Sequence, residues 1–189
     1  MKQESPQDQN RTGIEPRTDS SLQEMRAVLL VGGKGTRLQS VISSAPKPLA
    51  PVGNQSFLEL LIRQLRAQGI RNLVMCTGYL GEQIEKEFGD GRNWNVAIQY
   101  SQEPSALGTA GAVKLAQRFI PAGSDFLVMN GDSFLELDFR QFVRFHREHG
   151  GLASVAVRKV ENATRYGTVE MDAQHRITGF REKIGRAHV

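Results

Sequence analysis

From about residue 26 onward, short apolar runs alternate with amphipathic segments, and this alternation is the feature that most restricts the fold. The runs have the length of buried strands, and the segments between them have the apolar spacing of helices. The predicted strands are 26–31, 72–77, 96–100, 126–129, 153–158, 168–171 and 176–180, and the predicted helices are 57–68, 81–88, 110–119 and 139–149. This order predicts an α/β fold with a mainly parallel sheet that binds ligands at the carboxyl ends of its strands.

A glycine-rich loop follows the first predicted strand and carries fixed positive charges. Residues 32–38 read GGKGTRL, and Lys47 follows between two prolines. Glycines let a backbone come close to a ligand and turn its N–H groups toward negative oxygens, so the loop suits phosphate. It is neither of two common phosphate loops, because a dinucleotide fingerprint requires glycine where Leu38 stands and a Walker A loop requires Ser or Thr where Gly35 stands. A tight glycine turn is the simplest alternative, but it does not explain Arg37 and Lys47.

The loop resembles the signature of sugar-1-phosphate nucleotidyltransferases, which is G-G-x-G-T-R-L followed by P-K-P, with the lysine ten residues after the arginine. The residues that carry the match are Gly32, Gly33, Gly35, Thr36, Arg37, Leu38, Pro46, Lys47 and Pro48. The resemblance covers roughly residues 26–183 and implies a Rossmann-like, GT-A-like three-layer sandwich with a mixed, mainly parallel sheet. It also implies that the glycines and Thr36 bind the nucleotide, and that Arg37 and Lys47 are catalytic and neutralise charge on the phosphates.

Residues 102–111, QEPSALGTAG, are similar to the family's nucleobase-binding segment. The resemblance therefore assigns Glu103, Gly108 and Thr109 to the nucleotide. A carboxylate only accepts hydrogen bonds, which suits the N1–H and amine edge of guanine. Family members that use uridine or thymidine nucleotides often carry glutamine at the position of Glu103, so GTP is favoured. A solvated loop acid is the alternative for Glu103.

An aspartate, Asp132, follows the fourth predicted strand in the sequence Asn130-Gly131-Asp132-Ser133. The resemblance implies that it binds Mg²⁺, a cation that prefers one or two carboxylates together with phosphate oxygens. An ordinary Asn-Gly turn with a solvated aspartate is the alternative. On the sugar side, the resemblance assigns Gly167, Glu182 and Lys183 to the sugar phosphate, and an ordinary two-stranded hairpin is the alternative.

The resemblance implies that a sugar 1-phosphate attacks the α-phosphorus of an NTP and that pyrophosphate leaves. The chain looks most like the D-glycero-D-manno-heptose 1-phosphate guanylyltransferases of the family. Mannose 1-phosphate is the close alternative acceptor, and uridylyl or thymidylyl transfer to another sugar is the third reading. A non-catalytic nucleotide-sugar-binding module of the same fold is the reading from a different class.

Length and composition are those of one ordinary globular domain, because 189 residues with 39% apolar and 23% charged side chains can bury a single core. The net charge of +4 is spread along the chain without aromatic interleaving, which argues against nucleic-acid binding.

Residues 1–24 are polar and are expected to be a disordered leader, with the nucleotidyltransferase domain at 25–183. We see no membrane segment or secretory signal, and the lone Cys76 indicates a reducing compartment, so we expect a cytoplasmic protein.

The last six residues, 184–189, match the translation of a common sequencing-adapter oligonucleotide. We therefore expect them to be non-native and the natural protein to continue beyond Lys183. The family resemblance implies a second metal-binding aspartate after the Glu-Lys pair, so we expect this chain alone to have little or no activity.

Overall fold

The computed structural model describes residues 20–33, 45–161 and 167–181. The strands are β1 (Arg26–Leu30), β2 (Pro51–Val52), β3 (Gln55–Ser56), β4 (Asn72–Thr77), β5 (Ala97–Gln102), β6 (Phe126–Asn130), β7 (Thr168–Met171) and β8 (Ile177–Arg181). The helices are α1 (Ser20–Glu24), α2 (Phe57–Ala67), α3 (Gly81–Phe88), α4 (Gly108–Ala116) and α5 (Phe139–His149). None of these helices is long and apolar enough to cross a membrane. The chain divides into two compact units, and the boundary between Arg140 and Gln141 lies within α5.

The first unit contains a four-stranded parallel sheet with the strand order β5-β4-β1-β6. This confirms the α/β fold with a mainly parallel sheet. Strands β1, β4 and β5 step outward in one direction, and the chain then crosses back to place β6 on the other side of β1. Because parallel crossovers are right-handed, α2 and α3 cover one face and α4 covers the other. The reversal beside β1 creates the kind of crevice in which open α/β sheets bind ligands.

The face of the sheet under α4 is built from small and medium apolar side chains. Val28, Val74 and Cys76 pack there against Ala112 and Ala116 of α4. Small residues on the helix allow it to lie close to the strands, and dense packing of this kind stabilises the sheet. Burial raises the pKa of the Cys76 thiol to about 11, and the negative charge of Glu103 adds to the rise.

Helix α2 has a buried apolar stripe and clear end signals. Leu58, Leu61, Ile62 and Leu65 are fully buried. Ser56 caps the helix because its hydroxyl accepts the backbone N–H of Glu59 at 3.2 Å. The apolar spacing that predicted a helix over 57–68 is confirmed.

Two sequence predictions about secondary structure are wrong. Residues 20–24, placed in the disordered leader, form α1, and Leu22 is 1% exposed, so this turn belongs to the core. Residues 153–158, predicted to be a strand, are described without any strand pairing, and Val155 and Val157 are half exposed. Alternating apolar residues favour a strand, but a strand forms only where a neighbour supplies hydrogen bonds. Residues 1–19 and 184–189 lie outside the described part of the chain.

The second unit contains the hairpin of β7 and β8, which are antiparallel. Asp172 organises its turn, since one carboxylate oxygen accepts the backbone N–H groups of Gln174 at 3.0 Å and Arg176 at 2.8 Å. Both strands of the hairpin match the predicted ones to within one residue at each end.

Candidate active site

Lys47 and Asp132 form an ion pair beside the carboxyl ends of β1 and β6. The Lys47 Nζ atom donates a hydrogen bond to Asp132 Oδ2 over 2.6 Å, although the two residues are 85 positions apart in the sequence. Their side chains are 35% and 40% exposed, so the pair is open to a ligand. The fold thus brings together two residues that were each predicted from a separate sequence motif.

The position of Asp132 depends on Gly131. The N–H of Gly131 donates to the carbonyl of Leu30 at 2.9 Å, which extends the pairing of β6 with β1 by one step. A Cβ atom at residue 131 would overlap Val31 and would lie only 2.9 Å from the oxygen of Leu30. Only glycine allows this approach, and the approach fixes the backbone from which Asp132 projects.

Lys47 begins a rigid turn between Pro46 and Pro48. The turn is a single 3₁₀ element, Lys47–Leu49, in which the N–H of Leu49 donates to the carbonyl of Pro46 at 2.8 Å. Pro48 is buried and anchors the turn, while each proline restricts its own backbone rotation. The backbone of Lys47 is therefore held in place, and its long side chain reaches Asp132.

The electrostatics of the pair keep Asp132 ionised. The hydrogen bond from Lys47, together with its positive charge, holds the pKa of the Asp132 carboxyl below its usual value and outweighs the opposing effect of partial burial. The hydroxyl of Ser133 donates to Asp132 Oδ1 at 3.2 Å and acts in the same direction. Asp132 is therefore a carboxylate over the whole physiological pH range.

Asp132 is the candidate ligand for a divalent cation at this place. Within residues 20–33, 45–161 and 167–181, no three His, Cys, Asp or Glu side chains are grouped closely enough to hold a metal ion. Asp132 nevertheless fits Mg²⁺, because that cation is commonly held by one or two carboxylates while substrate phosphates supply further oxygens. Lys47 occupies Asp132 Oδ2, so the cation and the lysine would have to share or exchange that oxygen.

Two glycines bring the ends of β1 and β4 into direct contact. A Cβ atom on Gly32 would lie 2.9 Å from the nitrogen of Gly78, and one on Gly78 would lie 2.8 Å from the oxygen of Gly32. Neither position has room for a side chain. This close approach opens the space above β1 to the side chain of Glu103, which follows β5.

The carboxylate of Glu103 is oriented by the loop that precedes α4. Its Oε2 atom accepts the backbone N–H of Leu107 at 3.0 Å, and its own N–H donates to the carbonyl of Thr77 at 2.8 Å. Its Oε1 atom lies 3.2 Å from the position that a Cβ on Gly32 would take. The side chain is half-buried and fixed, which the alternative of a solvated loop acid does not explain.

Gly108 and Thr109 are the first two residues of α4 and are exposed. Gly108 has a φ of +70°, a conformation that other residues adopt only with strain. Leu107, the residue before the helix, provides no side-chain hydrogen bond to the N-terminus of α4. The positive end of the helix dipole therefore lies beside the Glu103 loop, where the sequence expects the nucleotide.

The remaining predicted site residues lie at the start of the loop, in the second unit or outside the described residues. Gly33 is exposed at the start of the loop, whereas Gly35, Thr36 and Arg37 lie outside the described residues. Gly167 belongs to the second unit and precedes β7, and a Cβ atom there would meet Arg181 only at an ordinary contact distance of 3.5 Å. Glu182 and Lys183 also lie outside the described residues, so the assignments on the sugar side stay predictions.

Sequence reasoning missed three features of the site: the contact of Gly78 with Gly32, the N–H of Leu107 and the close approach of Gly131. The glycine immediately after the second predicted strand was a usable signal for the first feature, because the first, third and fourth predicted strands are each followed within three residues by a predicted site residue. The other two depend on backbone geometry that no residue type reveals.

The chain is similar to known nucleotidyltransferases over most of its length. A family model described as "Nucleotidyl transferase" matches residues 26–186. The chain is 35% identical to a D-glycero-alpha-D-manno-heptose 1-phosphate guanylyltransferase of Campylobacter jejuni, over 85% of this chain and 69% of the relative. It is 38% identical to the mannose-1-phosphate guanylyltransferase catalytic subunit beta of Drosophila melanogaster, over 84% of this chain and 43% of the relative.

A solved structure, HddC from Yersinia pseudotuberculosis complexed with GMP-PN, is 31% identical and superposes with a TM-score of 0.72, over 84% of this chain and 69% of that one. The chain thus spans about two thirds of two of these proteins and less than half of the third. Sequence motifs, sheet topology and these similarities agree, and the chain belongs to the nucleotidyl transferase family.

Proposed function

We propose that the protein transfers GMP from GTP to D-glycero-D-manno-heptose 1-phosphate and releases pyrophosphate. The observation that carries the proposal is the fixed carboxylate of Glu103 at the end of β1, with the Lys47–Asp132 pair beside the same strand end on the side of β6. The proposed nucleotide lies across this strand end, with its base at Glu103 and its phosphates at Lys47.

Guanine fits Glu103 better than the other common bases do. The N1–H and the exocyclic amine of guanine are two adjacent donors, and a carboxylate side chain offers two acceptor oxygens. The N–H of Leu107 fixes the carboxylate and leaves Oε1 directed toward the end of β1. The similarity to two guanylyltransferases supports the same nucleotide.

In the proposed reaction, an oxygen of the sugar 1-phosphate forms a bond to the α-phosphorus of GTP while the bond to the pyrophosphate oxygen breaks. Lys47 is proposed to neutralise negative charge on the phosphates, and the turn that constrains its backbone supports this role. Arg37 is assigned the same role through the family resemblance. Asp132 would hold Mg²⁺, which when bound supplies further positive charge to the phosphates.

The heptose is proposed as acceptor because relatives acting on it match this chain over about two thirds of their length. Mannose 1-phosphate is the second candidate, supported by the 38% identity to the Drosophila melanogaster enzyme. Gly167, Glu182 and Lys183 are proposed to bind the sugar phosphate, since they match the family's sugar-side motif. A cytoplasmic location is proposed with the function.

The test measures pyrophosphate release by the product of the complete reading frame. GTP, ATP, UTP and dTTP are each paired with the 1-phosphates of heptose, mannose and glucose, and mass spectrometry identifies the nucleotide sugar. We expect GTP with the heptose to give the highest kcat/KM. A preference for mannose 1-phosphate would replace the acceptor and leave the nucleotide assignment intact. Release from no pair, with nucleotide sugar still bound, would favour the non-catalytic module.

A further inference from the structure

Gln64 of α2 and Gln68, the residue that caps the C-terminus of α2, bind the backbone that follows Asp132. Gln64 Nε2 donates to the carbonyl of Leu135 at 2.7 Å. Gln68 Nε2 donates to the carbonyl of Leu137 at 2.8 Å. Alternate carbonyls of this segment are thus held by side chains, in the way that a neighbouring strand would hold them.

Gln68 also fixes the start of α5. Its Oε1 atom accepts the backbone N–H of Phe139, the first residue of that helix, at 2.8 Å. The first N–H groups of a helix have no partner within the helix, so the amide oxygen of Gln68 serves as a cap. Phe139 is itself 2% exposed, and the segment that begins at Asp132 is therefore anchored at its far end.

The buried environment of the Gln64 side chain would suit an apolar residue. Within the described part of the chain, its Oε1 atom is buried and has no hydrogen-bond partner. A buried polar atom without a partner is destabilising, and an apolar side chain of the same size would avoid this penalty. The one feature that the amide supplies is its bond to Leu135.

These contacts fix the backbone on both sides of Asp132. Gly131 is held against β1 on one side, and Leu135, three residues beyond Asp132, is held by Gln64 on the other. We propose that Gln64 and Gln68 are positioning residues that keep the carboxylate of Asp132 against Lys47. The functional importance of this position rests on the function proposed above.

The test uses the variants Gln64→Leu and Gln68→Leu, which keep the side-chain size and remove the hydrogen bonds. Ile62→Val, at a buried position of the same helix, is the control for a general loss of stability. The readout is the rate at which a small excess of an acetylating reagent modifies Lys47, measured by mass spectrometry on the folded chain.

We expect Lys47 to be acetylated several-fold faster in both glutamine variants, approaching the rate in Asp132→Asn, where the partner carboxylate is removed. Lys86 and Lys114 should be modified at unchanged rates, and Ile62→Val should behave like the wild type. Hydrogen exchange of the backbone at 131–139 should accelerate in the same variants, because its anchoring bonds are lost.

Faster exchange at 131–139 with an unchanged rate at Lys47 would overturn the proposal, since the glutamines would then support only the segment. If one variant unfolds, Gln68→Asn, which shortens the side chain without removing the amide, gives the same two readouts. Binding of GTP with Mg²⁺ by the wild type is measured separately. Its absence would reject the proposed function, whereas the Lys47 rates decide the positioning role in either case.

Discussion

Replacing Glu103 by Gln should change which nucleotide the protein prefers, and the surrounding hydrogen bonds determine the direction. The N–H of Leu107 requires an acceptor, so a glutamine at 103 would turn its amide oxygen toward Leu107. Its NH₂ group would then take the position of Oε1, beside Gly32. A donor would thus replace an acceptor where the base is proposed to bind.

The size of the effect follows from the number of hydrogen bonds involved. The two donors of guanine would then face the NH₂ donor of the glutamine. The loss of one paired contact of this kind weakens the binding free energy by about 1–3 kcal/mol. This corresponds to GTP binding that is weaker by about 5- to 150-fold at 25 °C. Uracil presents carbonyl acceptors to the same NH₂ group, so UTP should bind equally well or more tightly.

Isothermal titration of GTP and UTP with Mg²⁺, at fixed ionic strength, measures the ratio of the two dissociation constants. Glu82→Gln is the matched control, because Glu82 is exposed in the first turn of α3 and its replacement changes the net charge equally. Only Glu103→Gln should reduce the preference for GTP. An unchanged ratio in Glu103→Gln, or an equal change in both variants, would refute the assignment of Glu103 to the base.

Two further predictions concern the Lys47–Asp132 end of the site. Gly131→Ala should lower the free energy of unfolding by about 1–3 kcal/mol in urea denaturation, because the added methyl group overlaps Val31. Gly33→Ala, where a Cβ meets nothing within 4 Å, should change it little, and equal effects would contradict the reasoning. The lowered pKa of Asp132 means that the pair stabilises the fold above the unfolded pKa of about 3.9, and that this contribution disappears as pH falls through the lower folded value. The difference in the free energy of unfolding between wild type and Asp132→Asn should therefore be below about 1 kcal/mol, because the pair is exposed. This difference should shrink below about pH 4. A difference that grows on acidification would show that the pKa of Asp132 is raised in the folded state, and not lowered.

The parts of the fold that sequence predicted are those with a strong local period. Helices over 81–88 and 139–149 and the strand over 72–77 were predicted with the bounds that the structure gives. Helix α4 begins at Gly108 rather than 110, because the glycine turns the chain into the helix with a positive φ. The strand over 153–158 was wrong because pairing is a long-range property that alternation alone does not supply.

The candidate site was predictable as a set of residues but not as an arrangement. Lys47 and Asp132 were each identified from a motif, while their 2.6 Å contact depends on β6 lying next to β1. Strand order also explains the role of Gly78, because Gly78 follows β4 and β4 is the other neighbour of β1.

The same strand order accounts for the separation of tasks along the site. β1 lies between β4 and β6, so its carboxyl end is flanked by Gly78 on one side and Asp132 on the other. The glycine contact with β4 leaves room for the acceptor side chain of Glu103 at the end of β1, and the contact with β6 places Asp132 of the Lys47–Asp132 pair on the other side of that strand. A single crossover reversal in the sheet therefore lets a hydrogen-bond acceptor and a positive charge approach one strand end from opposite sides. Exchanging the positions of β4 and β6 would bring both groups to the same side of β1.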